Sequence, residues 1–375
     1  MGNDWSCALI GLLASLTACA VQAESLTSVV DDVAAASDSS CDPGLPAVAA
    51  CLAYPVRFDS DEPLLDTAAS DRFADCGDFG CCDCLADCCC DRCQPHWKFE
   101  AGTVILHRAS PRSLVLLRNE TTGEAIANAG NFKFPWRGGA DISLARRGSY
   151  GEIEVRYFGV DDWLSHRAID ISQDIDSGGG EAFVFGAAAD YTSELHSTEI
   201  NWRRPLTQNI NGLIGFRWVE LHEVLAISAE ATDAQFPIPV TVRLPFDTSN
   251  HLYGSQIGAE VLLWSGDSLS IDTTLKAGLY GNHANSGFAI QLFDFTLGSL
   301  RTTGSDTAFL GEIDVNGTYQ WTEHVAFRAG YQLLWISGAA LPPEQLARFL
   351  AGNAGIDIAG TVFFHGATAG VELYW

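Results

Sequence analysis

Apolar and polar residues alternate with a period of two along most of the chain after residue 96. The clearest case is 324–337, where every second residue from Val325 to Trp335 is apolar and Arg328 and Gln332 lie between them. A β-strand points successive side chains to opposite faces, so this alternation predicts strands with one apolar and one polar face. The pattern predicts ten strands, with the facing of the fourth left open: 97–107, 138–147, 152–159, 189–202, 210–223, 253–264, 269–280, 309–320, 324–337 and 362–375.

The connections between these strands alternate between short and long. The short links are 148–149, 203–209, 265–267 and 322–323, and the long ones are 108–137, 160–188, 224–252, 281–305 and 338–361. A soluble β-sandwich has similar strands but no reason to keep this order, whereas outer-membrane barrels have short periplasmic turns and longer external loops. The sequence therefore predicts an all-β fold, a transmembrane antiparallel up-and-down barrel of about ten strands, with eight or twelve as alternatives.

Aromatic residues lie at the strand ends beside the short links. We expect these side chains at a membrane interface, in contact with outer-membrane lipid: Trp97, Trp202, Trp264, Trp321, Tyr374 and Trp375. An aromatic residue also ends the last alternating strand, which indicates recognition by the barrel-insertion machinery. The stretch 341–350 in the last long connection predicts a short helix whose apolar side packs on the barrel rim.

If the polar faces point inward, charged side chains line the lumen. The acidic set is Glu100, Asp141, Glu152, Glu154, Glu260, Asp272, Glu312, Asp314 and Glu372, and the basic set is Lys98, Arg147, Arg156, Arg217, Lys276 and Arg328. All of these except Lys98, Asp141 and Arg147 are our pore-lining candidates. Two interpretations remain open: a narrow channel with a mild preference for cations, or a plug of paired charges that stabilises the wall.

The N-terminal quarter differs from the rest of the chain. Residues 1–23 read as a signal peptide with a small-x-small site before Glu24, and acylation at Cys19 is the alternative. Residues 24–95 carry fifteen acidic side chains against three arginines, which predicts a disordered tether before a barrel domain at 96–375.

All twelve cysteines precede residue 94, and eight of them crowd into the end of the tether: Cys76, Cys81, Cys82, Cys84, Cys88, Cys89, Cys90 and Cys93. In an exported protein we expect disulfides, including bonds to other envelope partners. A metal site is the less favoured reading, because zinc sites usually separate their two C-x-x-C pairs by a dozen or more residues.

The formal charge of -26 excludes recruitment of nucleic acid by overall charge. An outer-membrane enzyme is also disfavoured, because G-x-S-x-G, H-E-x-x-H and P-loop motifs do not occur in the sequence. No cofactor is expected.

Several motifs of the barrel region resemble one bacterial family. They are the cysteine cluster running into His96-Trp97-Lys98-Phe99-Glu100-Ala101-Gly102, then Leu106-His107-Arg108, Glu199-Ile-Asn-Trp202-Arg203-Arg204-Pro205, Gly212-Leu-Ile-Gly-Phe216-Arg217-Trp218-Val-Glu220-Leu221 and Phe364-His365-Gly366-Ala367. Over about residues 94–375 the chain resembles the planctomycete putative beta-barrel porin family, which is similar to a pore-forming major outer-membrane protein of Legionella. The resemblance implies an outer-membrane barrel and a porin. A non-conducting envelope anchor or surface-display barrel, crosslinked through the tether, is the alternative.

Overall fold

The structure is a computed structural model that describes residues 96–118, 125–169, 173–176, 181–233, 240–293, 295–353 and 355–375. The predicted signal peptide, the predicted tether and all twelve cysteines lie outside these residues. Within them, no helix is long and apolar enough to span a bilayer.

The described residues form thirteen strands and one α-helix. The strands are β1 (Trp97–Arg108), β2 (Val115–Arg118), β3 (Ala125–Asn128), β4 (Trp136–Gly148), β5 (Gly151–Ile169), β6 (Gln173–Asp176), β7 (Glu181–Pro205), β8 (Ile210–Asp233), β9 (Val240–Ser265), β10 (Leu269–Leu292), β11 (Phe295–Thr322), β12 (Val325–Ala339) and β13 (Gly360–Tyr374). The helix is α1 (Pro342–Leu350), and it confirms the short helix expected in the last long connection.

Ten strands close into a ring. Each neighbouring pair is antiparallel, in the order β1, β4, β5, β7, β8, β9, β10, β11, β12 and β13. The ring closes between the first and last strands, where Lys98 is opposite Tyr374 and Arg108 is opposite Phe364. The predicted ten-stranded antiparallel barrel is therefore confirmed. Strands β2 and β3 form a separate hairpin, and β6 pairs with the outer end of β7.

The strands run further than the sequence pattern predicted at the ends away from the short turns. β9 begins at Val240 rather than at residue 253, and β10 ends at Leu292 rather than at residue 280. The long connections expected at 224–252 and 281–305 are thus largely paired strand. Alternation is enforced only where lipid covers one face, so it fades in the outer part of the wall although the backbone ladder continues.

An apolar outer surface surrounds the barrel between two levels of aromatic side chains. Beside the short turns, Trp202, Trp264, Trp321 and Trp375 are exposed, and Trp97 stacks on Trp375 with ring centroids 6.5 Å apart. The second level includes Trp136, Trp218, Tyr253 and Phe309. Tyr374 differs from our expectation, because it lies on the inward set of β13 and its hydroxyl donates to the Glu372 carboxylate.

Candidate functional site in the barrel lumen

The twelve pore-lining candidates all project inward, in the half of the lumen nearer the short turns. We call this region the polar half. Glu312 on β11 lies at its centre and is fully buried. Its carboxylate accepts hydrogen bonds from Arg217 Nη1 at 2.5 Å, Lys276 Nζ at 3.1 Å and Arg156 Nη1 at 3.3 Å. One carboxylate therefore joins three cations carried by three other strands.

Further pairs extend this network around the wall. The Arg156 guanidinium holds both oxygens of Asp141, at 2.9 and 2.8 Å. Arg328 binds Asp272 at 3.0 Å and Glu372 at 3.2 Å, and Lys98 also donates to Glu372, at 3.1 Å. The polar half is consequently crosslinked by ion pairs between strands that are distant in sequence.

Two charged residues of the network were absent from the predicted lumen sets. Glu199 lies on β7, whose facing the sequence left open, and it accepts from Lys276 Nζ at 2.5 Å and Gln256 Nε2 at 2.6 Å. Arg203 was assigned to a turn, but it lies on the inward face of β7 and bridges Glu154, at 2.6 Å, and Glu260. The signal that could have found both is the run Ser197, Glu199, Asn201 and Arg203, in which every second residue is polar.

The revised inward set keeps the predicted surplus of acids. Nine predicted acids with Glu199 make ten, and six predicted bases with Arg203 make seven, which leaves three unbalanced carboxylates. A small cavity of about 50 Å³ opens within the network. Its lining is nearly balanced, with four carboxylates, including Glu100 and Asp314, against five cations. The whole inward set therefore carries a net negative charge, whereas the cavity lining carries a net positive charge.

Beyond this network the lumen changes chemistry. At the boundary the Phe158 ring lies under the guanidinium groups of Arg156 and Arg217, 5.4 and 5.6 Å from its centroid. Gln332 is buried there, and neither its amide nitrogen nor its amide oxygen has a hydrogen-bond partner among the described residues.

Apolar side chains fill the next level, which we call the apolar half. Its inward residues are 0% exposed on seven strands and include Leu106, Leu195, Leu221, Leu252, Leu310, Leu334, Ile336 and Phe364. The alternating pattern of the sequence did not predict this level. The available signal was a run that is apolar on both faces, as in Leu333-Leu334-Trp335-Ile336. In the described conformation these side chains close the lumen.

One ion pair lies inside the apolar half. Arg108 Nε donates to Glu223 at 2.7 Å, and both side chains are fully buried. Tyr191 and Ser193 donate to the same carboxylate at 2.6 and 2.9 Å. The guanidinium also stacks on Phe134, 4.3 Å from the ring centroid. The Glu223 carboxylate and the Arg108 guanidinium both have partners, so no unpaired charge is buried here. Through the contact with Phe134, the pair also anchors the connection between β1 and β4 to the wall.

Comparison with protein families identifies one match. The family model described as "Putative beta barrel porin-7 (BBP7)" matches residues 185–362. This range contains β8 to β12, most of β7, and the lumen residues from Glu199 to Arg328. No curated protein matches the sequence.

Three solved structures with a similar arrangement are distant from this chain in sequence. The outer-membrane protease OmpT of Escherichia coli is 9% identical, with a TM-score of 0.45, over 75% of this chain and 97% of that one. The toluene transporter TbuX of Ralstonia pickettii is 9% identical, with a TM-score of 0.24, over 75% and 90%. TodX of Pseudomonas putida, also a toluene transporter, is 9% identical, with a TM-score of 0.22, over 74% and 88%.

Proposed function

We propose that this protein is an outer-membrane barrel of the porin type, a narrow channel for small ions or solutes that is closed in the described conformation. The observation that carries the proposal is the charged, cavity-bearing polar half inside a wall with an apolar outer surface. The family match over residues 185–362 supports the same reading. A planctomycete origin and similarity to the Legionella-type protein belong to this proposal, as does the absence of an enzymatic role.

We propose only weak ion selectivity. The inward set has three surplus carboxylates, which favours cations, but the cavity lining has five cations against four carboxylates. A permeating ion would pass both the surplus carboxylates of the lumen and the slightly cationic lining of the cavity.

A second candidate function is a non-conducting envelope anchor. The specific observation in its favour is that the closing leucines of the apolar half belong to the wall strands themselves, so no loop movement alone removes them. Export through the signal peptide, insertion through the last strand, and disulfide bonds from the cysteine-rich segment to envelope partners are proposals that apply to either function.

Planar-bilayer recordings on the full-length protein test these alternatives. We would compare the wild type with a variant that thins the apolar half, Leu106→Ser with Leu310→Ser and Leu334→Ser. The matched control replaces three exposed residues at the outer end of β11, Leu297→Ser, Leu300→Ser and Thr303→Ser. The channel predicts discrete conductance steps that grow in the first variant and are unchanged in the control. If all three proteins insert and remain silent, the channel is rejected and the anchor retained.

A further inference from the structure

The connection between β12 and β13 folds into the outer mouth of the barrel. Every residue from Ala339 to Leu346 is buried. Leu341 and Leu346 join the apolar core formed by the wall strands. Further along α1, the Phe349 ring packs on Phe288, with centroids 4.5 Å apart. This connection therefore covers the apolar half from outside.

Two asparagines on neighbouring strands hold the start of this segment. The Asn250 carboxamide binds both main-chain groups of Ala340: its Nδ2 donates to the carbonyl at 2.8 Å, and its Oδ1 accepts from the amide at 2.7 Å. Asn282 Nδ2 donates to Asn250 Oδ1 and to the Gly338 carbonyl, both at 2.9 Å. We call this group of hydrogen bonds the clasp. All of these bonds are made by side chains and lie in the buried mouth.

Gly338 allows the chain to leave the wall at this point. Its φ of +88° lies in the left-handed region, and a Cβ would come within 2.8 Å of the Thr307 carbonyl oxygen. Glycine adopts this conformation without a steric penalty, whereas a larger residue would be strained. The segment thus departs from β12 at a defined position rather than by gradual fraying.

The other end of the segment is held in a similar way. Gln345 donates to the Asp357 carbonyl at 2.7 Å and accepts from the Asp357 amide at 3.0 Å. Glu344, at the start of α1, is buried and lies 3.2 Å from Arg112, whose side chain is exposed. Side-chain contacts and apolar packing therefore retain the segment, whereas continuous backbone ladders retain the wall.

We propose that residues 340–352, here called the lid, form a separately releasable closure that the clasp holds shut. The lid regulates access to the lumen from its outer mouth, in series with the closing leucines of the wall strands. Segments held by fewer backbone bonds open at lower free energy than a closed sheet. The release of the lid stands on this geometry alone, while its regulatory role rests on the proposed channel function.

Hydrogen exchange of the full-length protein in lipid nanodiscs tests the release. We would compare wild type, Asn250→Ala, Asn282→Ala and the control Asn316→Ala, whose amide binds Asp272 in the polar half. Loss of two buried hydrogen bonds should speed exchange of lid amides about tenfold in Asn250→Ala, with a smaller gain in Asn282→Ala. Exchange within β9 and β12 should not change, and the control should leave the lid at the wild-type rate.

Other outcomes overturn the proposal. Lid amides that exchange as slowly as those of β12 in the wild type would show that the lid is part of the wall. An unchanged rate of lid exchange in Asn282→Ala would show that the clasp does not hold the lid. If Asn250→Ala fails to insert, Asn282→Ala alone decides this question. Bilayer recordings then separate the two ideas: faster exchange with longer open times supports regulation, and faster exchange with unaltered conducting behaviour rejects it. Silence of the variant with the thinned apolar half rejects the channel itself.

Discussion

The polar and apolar halves of the lumen are enclosed by the same ten strands, but different forces fill them. In the polar half, long charged side chains reach across the lumen, so that Glu312 meets cations from three other strands. In the apolar half, branched and aromatic side chains close the same cross-section by packing. Removal of one partner in the first leaves a buried charge, whereas removal of one in the second leaves a cavity. The same ten strands are therefore filled by paired charges at one level and by apolar volume at the next.

The largest effect should come from the centre of the polar half. Glu312→Gln leaves Arg156, Arg217 and Lys276 with one carboxylate fewer, and we expect a loss of about 3–5 kcal/mol in the free energy of unfolding. Urea unfolding in lipid vesicles measures it. The control is Glu100→Gln, whose partly exposed carboxylate is 3.9 Å from Lys98 and should change stability by less than about 1 kcal/mol. Equal effects of the two substitutions would contradict the central role of Glu312.

The apolar half should respond to lost volume. Leu310 is 0% exposed, and Leu310→Ala should cost about 3 kcal/mol through lost burial and the resulting cavity. The exposed Leu297, on the outer end of the same strand, gives the control Leu297→Ala, expected within about 0.5 kcal/mol of wild type. Similar unfolding midpoints for both variants would mean that the apolar half is not closely packed.

The outer surface offers a test that involves neither half. Val315 faces outward on β11, between the aromatic residues Tyr319 and Phe309. Val315→Arg should destabilise the barrel in lipid by about 2–4 kcal/mol, as charged residues do near the bilayer midplane. Thr303→Arg, outward on the same strand but beyond the apolar belt, should be almost neutral. A tolerated arginine at 315 would argue that this face does not contact hydrocarbon.

The smallest effect concerns the pH dependence of the lid. Burial raises the pKa of the Glu344 carboxyl, Arg112 opposes that shift, and the carboxylates of Glu223 and Asp357 add to it. A raised pKa in the closed lid means that protonation favours closure. The resulting stabilisation is complete below the ordinary glutamate pKa and is lost as pH rises through the raised value. Lid amides should therefore exchange faster at pH 7 than at pH 4, after correction for intrinsic rates.

Glu344→Gln tests this assignment. The uncharged side chain should slow lid exchange at pH 7 by a factor on the order of three and remove the pH dependence. Glu323→Gln, in a short turn, should leave both unchanged. A pH profile that persists in Glu344→Gln would assign the effect to another group.

The sequence pattern located the ten strands because lipid requires an apolar outer face along each of them. The inward direction of residues such as Glu154, Asp272 and Arg328 followed from the same requirement. The apolar half could not be predicted in this way, because positions such as Leu334 and Leu333 are apolar on both faces and the alternation disappears. The ion pairs within the polar half could not be predicted from the sequence either, because long side chains join strands whose relative positions are defined only by the closed ring.

The residues of the lid clasp were hidden for a different reason. Asn250 and Asn282 fall in stretches that the pattern assigned to long connections, where asparagine is ordinary. Only the continuation of β9 and β10 into those stretches turns both side chains toward the mouth. The helix α1 could be predicted from its own apolar spacing. The apolar half of the lumen, on which α1 packs, could not.

The seam between β1 and β13 has a consequence for how the barrel assembles. Lys98 and Glu372, which bond across it, are 274 residues apart in sequence. A contact this distant carries a large loop-closure entropy and is typical of slow folding. Neighbouring hairpins can form early. Until β1 and β13 pair with each other, both strands keep one edge of backbone donors and acceptors without partners. Assembly of this wall should therefore be cooperative, with the seam as its final and slowest step.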